Sequence, residues 1–423
     1  MRKVAVLGFG AAGYHGACGI RTTDPAAAID VFTNTQRGPH NPMLTTYYVK
    51  HAIPYEVMFP YGTLEEAESA LDLRIFRRAH VLRLDVANKM VYTSAGQSGP
   101  YDSILIATGA SAFLPELPGI ELPGVLAMRS EEDAVWLKER LDSGAIRSGL
   151  VFGASWSGIK VAEDFAERGI PCVLMNRSPQ PLSHALFPQT AEKVLSHFQE
   201  KGITLALGKT LSHIQRASGG GLIAMTGEGQ PFQADVIVVT SGIRPNLDFL
   251  PPDTPAVRQG ILVNSRMESS VPGIYAAGDC CAALDIFSGT QKNIALWRNA
   301  VEQGRAAGIN MAGGKARVGG NLPVSLGHCM GLDFMSVGDA SCVAPSDEMY
   351  TYTGPNLYLC AARRGRALRC INMLGAVGAA GMIKNLFIKS IESPGAGLSR
   401  QDLCLARSQG LPDAFIKFLG GTL

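Results

Sequence analysis

The sequence lacks a CxxC pair, a block of like charge and an apolar run long enough to cross a bilayer, and each absence argues against a class of function. Its nine cysteines (Cys18, Cys172, Cys280, Cys281, Cys329, Cys342, Cys360, Cys370 and Cys404) are odd in number and irregularly spaced. That pattern favours free thiols in a reducing cytoplasm over a zinc site or a disulfide framework. With 38 Lys and Arg against 36 Asp and Glu, the formal net charge is only +2, so no basic surface for nucleic acid or anionic membrane is expected. Partners are expected to be small molecules or another protein. The apolar stretch Ile371 to Ile383 is interrupted by Asn372, followed by Lys384, and falls short of the ~20 residues of a membrane span. It reads as a buried, Gly-rich helix.

What is present is ample apolar content, 46% of 423 residues, enough for two or three domains of roughly 100–200 residues each. The opening MRKVAVLGFGAAG has the basic start and apolar run of a secretory signal, but a buried strand feeding a glycine turn explains it better. Short apolar runs bounded by glycine alternate with helical stretches through the first 315 residues, the mark of βαβ units around parallel sheets. Two runs open similar units: Val4 to Leu7 before Gly8, and Gly149 to Phe152 before Gly153. Each leads through a helical stretch to another strand, Ile29 to Phe32 and Cys172 to Met175, so the chain is internally duplicated. Tyr101 to Gly109 and Ala234 to Gly242 repeat a strand-and-turn pattern, Pro115 to Pro123 makes a crossover, and another strand-like run halts at Gly278-Asp279. From about residue 316 the pattern changes to short strands and one or two helices. The tail from Ser393 to Leu423 carries no interpretable motif.

The first unit places Gly8-Phe-Gly10-Ala11-Ala12-Gly13 between a strand and a helix, the context a dinucleotide fingerprint requires. Gly8 permits the tight turn, Gly10 lets the backbone approach a pyrophosphate, and Gly13 lets helix and sheet pack closely with the helix N-terminus toward the anion. A carboxylate normally follows at the end of the second strand to bind the ribose. Here Thr33 and Asn34 stand there, uncharged, so adenosine is held more weakly or differently. The second unit reads Gly153-Ala-Ser155-Trp-Ser-Gly158, and its second strand ends in Asn176-Arg177-Ser178. Either Arg177 and the serine receive the 2′-phosphate of NADP, or the arginine is simply an exposed residue ending a strand.

The succession GFGAAG, YDSILIATGA, GASWSG, ADVIVVTSGIRPN and SSVPGIYAAGD resembles the two-dinucleotide-fold flavoproteins: ferredoxin, rubredoxin and putidaredoxin reductases, NADH oxidases, the glutathione reductase group and the FAD/NAD subunits of larger dehydrogenases. The resemblance covers roughly residues 1 to 315. It implies an α/β protein with two Rossmann-like domains, a discontinuous FAD domain at 1–113 and 243–315, an inserted NAD(P) domain at 114–242 and an α+β C-terminal interface domain at 316–423. It further implies that Gly8, Gly10, Ala11, Ala12 and Gly13 hold the FAD pyrophosphate, that Thr108 and Gly109 approach from the next loop, and that Asp279 after Gly278 binds the ribitol. Gly153, Ser155, Gly158, Asn176 and Arg177 fall to the nicotinamide nucleotide, Gly242 is a further cofactor-binding candidate, and Trp297, Ala300, Gln303 and Gly304 belong to a helix whose N-terminus approaches the flavin pyrimidine.

Departures from the family are informative. Members that reduce disulfides place a cysteine beside the flavin after the second strand, and Arg37 to Gly62 contains none, so thiol chemistry there is not expected. Pro42-Met-Leu44 resembles the ferredoxin-reductase branch, in which a lysine two residues after the leucine pairs with a glutamate on the second unit's helix. Those positions here are Thr46 and Lys160. Lys160 is then either a cation near flavin N5, the candidate catalytic side chain, or a solvated helix lysine; Lys50 is a second basic residue in the flavin-side segment. His15 reads as a packed or surface residue, Cys280 and Cys281 as small buried residues, and Trp156 as packing over the nucleotide or in the core. The expected activity is hydride transfer between NAD(P)H and FAD, with electrons passed to or from a protein or small-molecule acceptor, in a homo-oligomer. The alternatives are a flavin subunit of a multi-protein dehydrogenase and a flavoprotein in which the nucleotide is a structural ligand.

Overall fold

The computed structural model describes residues 1–251, 256–257, 260–393 and 397–420. Within the uninterpreted tail, 394–396 and 421–423 lie outside the described residues. The chain divides into two compact units, one of Met1–Phe113, Ala127–Asp142 and Gly242–Asn321, the other of Leu114–Leu126, Ser143–Ser241 and Leu322–Leu423.

The first unit is built on a five-stranded parallel sheet in the order Ile274–Ala276, Ser103–Ile106, Lys3–Leu7, Ala28–Phe32, Leu73–Phe76. Val4 through Leu7 are fully buried, as continuous apolar strands must be when both faces of a parallel sheet are covered. The Ala11–Thr23 and Trp297–Met311 helices pack against each other with their backbones nearly in contact. A Cβ on Gly304 would lie 2.2 Å from the Ala12 carbonyl oxygen, and one on Gly308 2.0 Å from that of Gly16. Glycine on both helices is what lets them meet, and this fixes the start of the first helix against the start of the second.

The Glu131–Asp142 helix belongs to this first unit, although the sequence reading assigns it to the inserted domain. Asp133 caps it, its carboxylate accepting the backbone N–H groups of Arg129 and Ser130 at 2.9 Å each, and Glu131, Glu132 and Asp133 in its first turn suit the positive end of the helix dipole. Buried Ala134, Leu137 and Leu141 anchor its inner face.

The second unit repeats the plan. Ile203–Leu207, Cys172–Asn176, Gly149–Phe152 and Val236–Val239 lie side by side in parallel, with Val125–Ala127 at the sheet's edge. The change of pattern expected near residue 316 is an antiparallel five-stranded sheet that starts at Val324 and runs in the order Val324–Cys329, Leu332–Gly338, Ala367–Gly375, Leu357–Arg364, Glu348–Thr353. One expectation is corrected here. Ile371–Gly375 is the end of the long central strand, and the helix starts only at Ala380. Asn372, which argued against a membrane span, sits fully buried because its side chain accepts the Phe187 N–H at 2.8 Å and donates to the Ala185 carbonyl at 2.8 Å. No helix among the described residues is long and apolar enough to cross a membrane.

Candidate functional site

The first glycine turn opens a cleft of about 1060 Å³ that is lined entirely by first-unit residues. Gly8 adopts φ +92° and donates its N–H to the Phe32 carbonyl at 2.8 Å, and any side chain there would strike the Ala107 carbonyl 2.3 Å away. A Cβ on Gly13 would lie 2.1 Å from the Gly8 carbonyl, whereas one on Gly10 would meet nothing within 4 Å. The middle glycine therefore faces open space. Gly10 is also the N-cap of the 13-residue Ala11–Thr23 helix, with no side-chain cap and no acid in the first turn. Unpaired amides and the positive end of the dipole are thus left to whatever enters the cleft, and a diphosphate matches that need.

Thr33 and Asn34 line the cleft at the end of the second strand. Thr33 is buried, and its hydroxyl oxygen accepts the Thr35 N–H at 3.3 Å. Thr108 and Gly109 line it too, held by an unforeseen brace: the Thr108 hydroxyl donates to the Asn246 carbonyl at 2.8 Å, and the Asn246 amide donates back to the Thr108 carbonyl at 3.0 Å. Gly242, expected among the cofactor-binding residues, lies in the first unit at φ +135°, where its carbonyl accepts the Phe113 N–H at 2.9 Å. Pro42 lines the cleft, while Thr46 is buried within the short Thr45–Val49 helix.

The Gly278-Asp279 turn brings an acid to the cleft, and its partner is Arg129, which sequence reasoning missed. Arg129 Nη2 donates to Asp279 Oδ2 at 2.5 Å, both side chains lining the cleft. Two amides hold the turn from behind: Gln303 accepts the Gly278 N–H at 2.8 Å, and Asn293 donates to the Asp279 carbonyl at 2.7 Å. Trp297 begins its helix at the cleft wall. Nearby, Glu131 accepts a hydrogen bond from the Tyr55 hydroxyl at 3.0 Å and faces Arg37 at 3.5 Å, and burial pushes its carboxyl above the ordinary range.

In the second unit, Gly153 takes φ +117°, and a Cβ on Gly158 would lie 2.0 Å from the Gly153 carbonyl, the same turn built again. Ser155 is its working N-cap, the hydroxyl accepting the Gly158 N–H at 3.3 Å and donating to the Thr240 carbonyl at 3.2 Å. Asn176 braces the turn, accepting the Ala154 N–H at 3.0 Å and donating to the Ser178 carbonyl at 2.9 Å, and Arg177 beside it is exposed.

The sequence pattern described as pyridine nucleotide-disulphide oxidoreductase matches residues 2–304. The chain belongs to the pyridine nucleotide-disulphide oxidoreductase family. It is 28% identical over 320 residues to an NADH oxidase of Methanocaldococcus jannaschii, covering 74% of this chain and 71% of that one. Its fold is shared with the water-forming NADH oxidase from Lactobacillus brevis bound to NADH, at 19% identity and a TM-score of 0.88 over 99% of each chain. An engineered form of that oxidase bound to NADPH, in which an aspartate becomes alanine and the next two residues become arginine and serine, superposes with a TM-score of 0.84 at 19% identity, over 98% of this chain and 99% of that one.

Within this oxidoreductase, Lys160 is not a solvated lysine. It is 8% exposed, pairs with Glu163 three residues on, and donates to the His328 carbonyl at 2.8 Å. Glu163 in turn accepts the Met330 N–H at 2.6 Å, so the pair latches the 328–331 hairpin tip onto the Trp156–Glu167 helix. Trp156 packs in the core, stacked on Phe334 with centroids 3.8 Å apart. None of the nine cysteines is in a disulfide, and Cys280 and Cys281 are buried, with burial pushing both thiols up.

Proposed function

We propose that the chain binds FAD in the first unit's cleft and NAD(P)H on the second unit's glycine turn, and passes hydride between them before handing electrons to a protein or small-molecule acceptor without a redox disulfide. The observation that carries this reading is a single cleft holding an uncapped helix start at Gly10 and a paired acid at Asp279. The helix start suits a diphosphate, and the carboxylate, an acceptor of strong hydrogen bonds, suits a polyol. Gly8, Ala11, Ala12 and Gly13 shape the cradle, Thr33 and Asn34 offer neutral partners to the adenosine ribose, and Arg129 fixes the Asp279 carboxylate while adding positive charge. Bound FAD would supply a ring that accepts a hydride and releases its electrons to an acceptor. The protein's own part is to orient: Trp297 walls the cleft, and Asn246 and Gln303 hold the two loops that approach it.

Arg177 and Ser178 favour NADPH over NADH. The NADPH-bound form of the L. brevis enzyme gains arginine and serine directly after a lost aspartate, and here Asn176, Arg177 and Ser178 stand in that chemical order with no acid. Gly153, Ser155 and Gly158 would hold its pyrophosphate. The test is an anaerobic titration of the FAD-loaded protein with NADH and NADPH, following flavin absorbance.

A further inference from the structure

We propose that the stacked rings of Trp297, Tyr61 and Tyr14, with His15 hydrogen-bonded to the middle one, form a one-electron relay that starts at the cleft wall. The inference rests on the reading of that cleft as a flavin site.

Trp297 lines the cleft. Tyr61 lies against it with centroids 5.8 Å apart and planes 8° from parallel, and Tyr14 lies against Tyr61 at 4.3 Å and again 8°. Phe9, also lining the cleft, approaches Tyr14 at 5.9 Å. His15 meets Tyr61 edge-on, its Nε2 3.0 Å from the phenolic oxygen. Ordinary packing accounts for a stack of rings. The three stacked rings are indole and phenol, the side chains whose rings give up an electron most readily, and a base is set against the central phenol.

Burial, with Arg305 adding to it, holds His15 below the usual imidazole range, so the ring is neutral near neutrality and would hold a proton from Tyr61 only briefly. Burial pushes the Tyr61 phenol up, so Tyr61 keeps its proton until its ring is oxidised. Electron and proton then have separate destinations.

The oxidant would be a light-excited oxidised flavin held in the cleft, which keeps the electron it takes. The Trp297 indole would give up that electron and be refilled from Tyr61, while the Tyr61 O–H bond breaks and its proton moves to His15 Nε2. The products are a neutral tyrosyl radical and an imidazolium; return of one electron and that proton to Tyr61 restores the start.

Laser-flash absorption on the FAD-loaded protein tests this. The wild type is expected to give a tyrosyl signal, Y61F to lose it, and H15L to lose it while an indole radical persists. A tyrosyl signal unchanged in Y61F, or no radical on either ring type in the wild type, overturns the relay. A second measurement needs no flavin: azidyl radicals from pulse radiolysis oxidise tryptophan, and intramolecular conversion of indole to tyrosyl radical should vanish in both W297F and Y61F. A protein that stays colourless after incubation with FAD overturns the cleft reading alone, and the relay then stands or falls on the pulse experiment, where conversion surviving in both variants overturns it.

Discussion

Arg129 and Asp279, 150 residues apart in the chain, form a cleft-lining ion pair at 2.5 Å, the carboxylate 16% and the guanidinium 28% exposed. The acid on which a flavin polyol would depend is therefore already aimed. A charge-assisted hydrogen bond contributes roughly 1.5–3 kcal/mol, so D279A should weaken FAD binding by about 10- to 100-fold. R129L should weaken it too, by leaving the carboxylate without its partner. Release of flavin, followed by the rise of its fluorescence on dilution, measures both.

Lys160 and Glu163 give a prediction of a different kind. Removing one member of a buried pair typically costs about 3–5 kcal/mol because the other charge is left behind, and their side chains are 9% and 0% exposed. K160M should destabilise the fold by that order, read as a lower urea midpoint at unchanged slope. K160E should do worse, since it sets a second carboxylate beside Glu163. If K160M unfolds like the wild type while its rate of flavin reduction falls, the latch is not the lysine's main task.

These two cases show which parts of the site the sequence exposes. Gly8 to Gly13 and Gly278-Asp279 are legible because a tight turn constrains residue type locally, and the structure gives Gly8 and Gly278 positive φ. Arg129 is not legible, because its value depends on a partner brought near only by the fold. Lys160 and Glu163 have readable helical spacing, but their burial is imposed by a hairpin more than 160 residues away. The helix expected from Ile371 is a strand at its start for a related reason: an apolar, Gly-rich run has no clear period, and what makes it a strand is pairing with Leu332–Gly338 and Leu357–Arg364 on its two sides.

A pH effect follows from Asp142. Partial burial alone would raise its carboxyl, but hydrogen bonds from Lys138 and His51 outweigh this and leave it at about 2, below the ordinary 3.8. A depressed folded value stabilises the fold above the unfolded value and ceases to do so as the pH falls through the folded one. The wild type should therefore lose stability from about pH 4 down to about pH 2, and D142N should show a shallower fall over that window in acid titrations followed by circular dichroism.

Arg177 should set the nucleotide preference. R177A is expected to cut the efficiency with NADPH by about 10- to 100-fold, the range for losing a charged hydrogen bond to phosphate, and to leave NADH nearly unaffected. Stopped-flow reduction rates with each nucleotide measure this. An equal loss with both would mean that the side chain supports the turn and does not read the phosphate.

The proposed activity requires one cleft to accept a flavin that a nicotinamide reduces. The direct measurement is to incubate the purified chain with FAD, remove the excess, and titrate it with NADPH and NADH in the absence of oxygen. The expected result is a yellow protein whose flavin absorbance is bleached by about one equivalent of nucleotide, the two-electron balance of hydride transfer, and faster by NADPH. A protein that retains no flavin, or whose bound flavin neither nucleotide bleaches, would contradict it.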